Sequence, residues 1–166
     1  FVIIASDYVS RIMLADVIRR IAALAPGLSF DIRPTSEAVL TELEQGRADF
    51  VITPAHLVAT DHPQEILFED TYKVLACLQH PDLQGSISIG QYQALGHVVY
   101  QNERGTNPWF EQWYANQHGR TRRIEVITHS FTLIPRFIVG TRRITTIQTR
   151  LANQFAQSLA VQMMEP

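Results

Sequence analysis

With 166 residues, 46% of them hydrophobic, the chain can bury a core of ordinary size as one domain or two small α/β lobes, and its composition excludes disorder. Its 14 basic and 16 acidic residues are spread along the sequence for a net charge of -2, which leaves no electrostatic footprint for a phosphate backbone. A single cysteine, Cys77, excludes an internal disulfide framework and suits a reducing compartment, and no apolar run approaches the ~20 residues needed to span a bilayer.

Residues 1–5 form an unbroken apolar run rich in β-branched residues, the pattern of a strand covered on both faces. Ser6 and Asp7 stop it and offer side-chain oxygens to cap a helix over residues 8–25. In that helix Leu14, Val17, Ile18, Ile21, Leu24 and Ala25 share one stripe, while Asp16, Arg19 and Arg20 lie away from it. Pro26 and Gly27 end the helix. Leu28, Phe30 and Ile32 then alternate with polar residues, so a second strand pairs parallel to the first through a right-handed crossover. Thr35 or Ser36 caps a helix with Val39, Leu40 and Leu43 inward and Gly46 as its left-handed stop. Residues 48–53 read as the third strand, ended by Pro54, and residues 55–64 as an irregular loop. Three strands and two helices in strict alternation predict a parallel sheet with helices on its faces.

Residues 72–78 form another apolar strand, and the turn-rich stretch 80–85 is where a boundary falls. Residues 97–100 are a strand, and Asn107 before Pro108 starts a helix in which Phe110, Trp113, Tyr114 and Gln117 share a face up to Gly119. Residues 123–128 alternate as a strand; His129 or Ser130 opens a helix running to Val139, and Gly140 ends it. Residues 144–148 are a strand, Thr149 caps a helix with Leu151, Phe155 and Leu159 inward, and residues 160–164 begin a last extended segment. Two α/β lobes in series follow: residues 1–72, a hinge and crossover at 73–85, and residues 86–166.

Catalytic motifs are missing. His56, His62, His80, His97, His118 and His129 make no HExxH pattern and no close pair at ligand spacing, so no metal site and no cofactor is expected. The first strand–helix junction, ASDY, is too poor in glycine for a pyrophosphate to approach the backbone, and neither a Walker loop nor a GxSxG elbow occurs. Ser6, Ser130 and Cys77 have no recognisable partner as nucleophiles. What the strand ends do carry is small hydroxyls and amides: Ser6, Thr35, Ser36, Thr53, His129, Ser130, Thr146 and Gln148. In parallel sheets ligands bind at the carboxyl ends of the strands, so this set outlines a binding cleft more than an active site. Each residue taken alone is better explained as a helix cap, which needs no ligand. Tyr8, Trp109 and Phe131 could stack on an aromatic ligand, although aromatic side chains more often belong to the core. The clusters Arg120, Arg122, Arg123 and Arg142, Arg143 flank strands and read as solvated edges.

The order of several short signals resembles a known family. Leu43, Gly46 and Asp49 before Phe50-Val51-Ile52 resemble the L-x-x-G-x-x-D pattern of LysR-type transcriptional regulators in their effector-binding domains. FVIIAS, APGLSFDI, LFEDTYKVLA, His80-Pro81 and SISIGQYQAL fall in the family's order, and ASDY, His129-Ser130-Phe131 with Pro135, and Gly140-Thr141 are most similar to the nodulation-regulator group that senses aromatic compounds. The resemblance implies an α/β fold of the type 2 periplasmic-binding-protein kind, two Rossmann-like subdomains with a hinge and an inter-lobe cleft. It also implies a regulator rather than an enzyme. The family's effector contacts would fall on Ser6, Asp7, Tyr8, Thr35, Ser36, Thr53, Asn102, His129, Ser130, Phe131 and Thr146. The partners implied are a small-molecule effector and a second copy, as a homodimer or tetramer. DNA would be bound only through a helix-turn-helix outside this chain, with no membrane partner and a cytoplasmic location. Without an initiator methionine the chain reads as an excised domain, with the first lobe lacking a return segment. The alternative is an extracytoplasmic solute-binding protein of the same fold.

Overall fold

The computed structural model describes residues 1–36, 38–57, 62–101, 109–119 and 121–165, except the side chains of Trp109 and Phe110. The chain divides into two compact units, residues 1–69 and 70–166.

The first unit is built on β1 (Val2–Ala5), the middle strand of a three-stranded sheet that pairs in parallel with β2 (Asp31–Arg33) and β3 (Phe50–Ile52). Its apolar run is buried from Ile3 to Ala5, as expected of a strand with both faces covered. Asp49 extends the β1–β3 ladder: its carboxylate accepts from the Val2 amide at 2.7 Å and its own amide donates to the Val2 carbonyl at 2.9 Å. After β1 the chain enters α1 (Asp7–Val9), a π-helical stretch Ser10–Leu14, and α2 (Ala15–Leu24). The π stretch was not legible in the sequence, which specifies helix there without its hydrogen-bond spacing. A further helix, α3 (Val39–Glu44), stops at Gly46, whose φ of 65° is the left-handed conformation glycine adopts without steric cost.

The apolar stripe of this helical run is only partly covered. Leu14 is buried, whereas Val17 is 40% and Leu24 86% exposed. Three short strands offer too little sheet to cover a stripe of this length. Val17, Ile18 and Ile21 instead line an apolar groove of about 400 Å³ with Phe1, Phe30 and Phe50, and Phe1 packs on both other rings at centroid distances near 6 Å. Residues 55–64 begin with a 3-10 turn, Ala55–Leu57; Asp61 lies outside the described residues.

The second unit holds a five-stranded sheet in the order β6-β5-β7-β4-β8: β4 (Tyr72–Cys77), β5 (His97–Tyr100), β6 (Ile124–Thr128), β7 (Ile144–Gln148) and β8 (Val161–Met164). β6, β5 and β7 run in parallel, and β4 runs antiparallel to both β7 and β8. The segment 73–85 thus contributes a fully integrated strand, β4, before its turns. One sheet face carries Val74, Ala76, Ile144 and Met164 and packs on Tyr92 of α4 (Ile89–Ala94) and Tyr114 of α5 (Trp109–His118). α6 (Thr149–Ser158) buries Leu151, Ala152 and Phe155.

Two expectations are corrected here. The stretch after Ser130 is a 3-10 helix, Phe131–Phe137, and not an α-helix to Val139, because Pro135 inside it has no N–H for an i-4 bond. On α5 the common face is broken as well: Tyr114 is buried, but Trp113 is 40% exposed and Gln117 is exposed.

Candidate functional site

Each unit gathers its candidates at the carboxyl edge of its parallel strands. In the first unit Ser6 follows the central strand and caps α1, its Oγ accepting from the Val9 amide at 3.4 Å, while Ser10 Oγ donates to the Ser6 carbonyl at 2.9 Å. Asp7 is the first helical residue, where a carboxylate favours the positive end of the peptide dipoles. Thr35 and Ser36 follow β2, and Thr53 follows β3; all three are half-buried. The order β2-β1-β3 puts Ser6 between them. Tyr8 belongs to the core: it is 7% exposed and meets Phe68 edge-on at 6.3 Å.

In the second unit the carboxyl edge is formed by Tyr100 and Gln101 after β5, Thr128 to Phe131 after β6, and Gln148 and Thr149 after β7. Phe131 stacks on Tyr100 with centroids 3.7 Å apart and planes 12° from parallel, so the two rings form one apolar surface. His129 is exposed and places Nδ1 2.7 Å from the Gln101 carbonyl, which makes Nδ1 the protonated nitrogen and leaves Nε2 as acceptor in the neutral ring. Ser130 pairs with Thr132 through their hydroxyls at 3.0 Å, and its amide donates to Thr128 Oγ1 at 3.2 Å. Beside them the start of α6 is held by the entering chain. The Asp70 carboxylate accepts from the Thr71 amide at 2.8 Å and the Arg150 amide at 3.2 Å, and the Thr71 and Thr149 hydroxyls lie 2.7 Å apart. Asn102 and the Trp109 side chain lie outside the described residues.

Thr146 is drawn elsewhere. Its hydroxyl lies 2.6 Å from the Tyr92 hydroxyl and accepts from Arg122 Nη1 at 3.2 Å, within a buried polar cluster under α4 and α5. Arg122 forms an ion pair with Glu111 of α5, donates to Tyr92 Oη at 2.9 Å, and also donates to His97 Nδ1 at 3.2 Å. The other His97 nitrogen lies 2.7 Å from the Tyr92 carbonyl, which makes Nε2–H the donor and fixes the tautomer. Burial, followed by the adjacent Arg122 charge, pushes the His97 imidazole down to about 3. Burial also raises the Tyr92 hydroxyl above its ordinary range. Reading Arg122 as a solvated edge was therefore incorrect. Adjacent arginines near a strand point to opposite faces, so Arg122 and Arg123 could not both face water once both faces were covered; that alternation was the available signal.

This pair of α/β units, each with a parallel strand set whose carboxyl edge is lined by hydroxyls and amides, defines a binding-protein architecture of the type 2 periplasmic kind. Residues 1–165 match the family model described as the LysR substrate binding domain, and the chain belongs to that family. It is 38% identical over 165 residues to nodulation protein D 3 of Rhizobium meliloti (strain 1021), covering 99% of this chain and 53% of that protein, and 36% identical over 165 residues to nodulation protein D 2 of Rhizobium tropici, covering 99% and 52%. The chain thus spans about half the length of the curated relatives it matches. Among solved structures, the regulatory domain of MexT, a transcriptional activator in Pseudomonas aeruginosa, superposes with a TM-score of 0.80 at 20% identity, covering 100% of this chain and 82% of that one. The cofactor-binding domain of the Cbl transcriptional regulator gives 0.77 at 16%, covering 99% and 73%. The family is one of transcription regulators, and nothing in these likenesses supports an extracytoplasmic solute-binding protein.

Proposed function

We propose that this chain is the sensing part of a LysR-type regulator that binds a small molecule, with some aromatic character, at the carboxyl edges of its parallel strands. The observation that carries this reading is the second unit's edge, where the stacked Tyr100–Phe131 surface lies beside the exposed His129 and the hydroxyls of Ser130 and Thr132. A ring surface flanked by a few polar groups is what a small planar ligand requires: large apolar area with orientation fixed by hydrogen bonds. Ser6, Asp7, Thr35, Ser36 and Thr53 supply the equivalent polar groups at the first unit's edge. The ligand acts by binding one arrangement of the regulator better than another, since equal affinity for both would shift nothing. DNA contact, assembly into a two-fold homo-oligomer and a cytoplasmic setting belong to the whole regulator. Among the described residues no helix is long and apolar enough to cross a membrane.

Thermal unfolding of the chain against a panel of aromatic acids, phenols and sugars tests this. A ligand at 100 times its Kd adds ~2.7 kcal/mol, a rise of several degrees. The rise is expected with aromatic compounds and is expected to shrink in His129→Ala and Ser6→Ala. A panel without any stabilising compound would remove the small-molecule reading.

A further inference from the structure

We propose that His129 is the specificity residue of the second unit's edge, its Nε2 accepting a hydrogen bond from a hydroxyl on the rim of a ring bound against Tyr100 and Phe131. The proposal rests on the effector reading of this edge and names the group that the edge recognises.

Two cross-links join the exits of β5 and β6. One is the ring stack of Tyr100 on Phe131, with centroids 3.7 Å apart and planes 12° from parallel. The other is polar: His129 Nδ1 lies 2.7 Å from the Gln101 carbonyl, and Gln101 in turn donates its amide to the Thr128 carbonyl at 3.0 Å. The contacts tie residue 100 to 131 and residue 101 to 129, so the imidazole and the stacked rings span the same two strand ends. A carbonyl only accepts, so Nδ1 carries the proton, and Nε2 of the neutral ring is an acceptor directed away from Gln101.

The hydroxyls that follow β6 are engaged with their own loop. Thr128 Oγ1 accepts from the Ser130 amide at 3.2 Å and donates to the Ser130 carbonyl at 3.4 Å, and the Ser130 and Thr132 hydroxyls lie 3.0 Å apart. His129, by contrast, is exposed, and among the described residues nothing pairs with its Nε2. The tether to Gln101 accounts for Nδ1 and leaves Nε2 without a role inside the unit. A fixed acceptor beside a flat apolar surface complements a planar ring bearing an O–H: the ring covers Tyr100 and Phe131 while the hydroxyl supplies the donor. A methyl ether in the same place has only an acceptor to offer. Water also donates to an exposed nitrogen, so the preference is that of one exchanged hydrogen bond, about fivefold in affinity, and not the far larger discrimination of a buried site.

Three probes with one ring system separate the cases: 2-naphthol, 2-methoxynaphthalene and 2-naphthoate. Affinities are measured by calorimetry at pH 8, above the ordinary histidine range, with the wild-type chain, His129→Asn and His129→Gln. The asparagine amide can keep the N–H contact with the Gln101 carbonyl but has no atom at the Nε2 position, whereas glutamine reaches that position with an acceptor. The wild type is expected to bind 2-naphthol about fivefold more tightly than its ether. In His129→Asn that ratio is expected to fall to within about twofold, and in His129→Gln the preference is expected to return. The ratio is the readout, because a loss of packing alone would weaken both probes alike. The ether binding the wild type as tightly as 2-naphthol, or an undiminished preference in His129→Asn, would overturn the inference and leave the effector reading in place. So would 2-naphthoate binding more tightly than 2-naphthol with that advantage lost in His129→Asn, since the imidazole would then act as a cation. Silence from all three probes would also overturn it, and the wider panel would then decide the effector reading separately.

Discussion

Arg122 ties together the buried polar cluster of the second unit. A guanidinium 5% exposed stays charged, so its position depends on Glu111, on the Tyr92 and Thr146 hydroxyls and on the neutral His97. Glu111→Leu is expected to cost about 3–5 kcal/mol by leaving that charge uncompensated, and Arg122→Met combined with Glu111→Leu to recover most of it. A double-mutant cycle by urea unfolding checks both. His97 sets a pH dependence of known sign. Its folded pKa of about 3 lies below the ordinary 6.5, so between those values the unfolded chain binds a proton that the folded chain does not. Stability therefore falls as the pH drops through that window, by up to about 1.4 kcal/mol per pH unit. In His97→Asn this component is expected to disappear, leaving a flatter stability profile between pH 6.5 and about 4. The sequence showed His97 at the start of an apolar strand but gave no sign of what it would meet. Its partners Tyr92 and Arg122 are 5 and 25 positions away, and only the packing of α4 and the β6 approach brings them together.

At the scale of elements, local signals explain most of what formed. Ser88 caps α4 with a full capping box: its Oγ accepts from the Gln91 amide at 3.2 Å, and Gln91 Oε1 accepts from the Ser88 amide at 2.9 Å. Ser88→Ala is expected to lower stability by about 1 kcal/mol, measurable as a displaced urea midpoint at constant slope. Gly140 turns the chain out of the 3-10 helix at φ 73°, and its amide donates to Cys77 Sγ at 3.3 Å. Gly140→Ala should cost about 1–2 kcal/mol through the left-handed penalty, by the same measurement. Strand alternation, the α6 stripe and glycine stops could be read from the residues because each depends on neighbours a few positions away. The 3-10 geometry of Phe131–Phe137 could have been read from Pro135 but was overridden by the apolar spacing around it. The exposure of Val17 and Leu24 could not, since how much sheet lies under a helix is a property of the assembled unit.

At the scale of the molecule, the alternation of strands and helices gave two α/β units and put hydroxyls at strand ends, and the family signals fixed the architecture. The division between Glu69 and Asp70 and the antiparallel β4 within the second sheet left no local mark; the partners of β4 lie 68 or more positions away. Thr146 was legible as a residue near the end of a strand, but its hydroxyl is committed to Tyr92 and Arg122, so among the proposed contacts it joins Tyr8 as a residue that the packing of its own unit engages. The central claim is that ligand chemistry belongs to the two carboxyl edges. Backbone hydrogen exchange, with and without the first panel compound that raises the melting temperature, tests it most directly. The account predicts new protection at residues 6–8, 35–36 and 53, and at 128–132 and 148–150, with the buried cluster around His97 and Arg122 unchanged. Protection confined to the apolar groove of Val17, Ile21 and Phe50, with both edges unaffected, would contradict it.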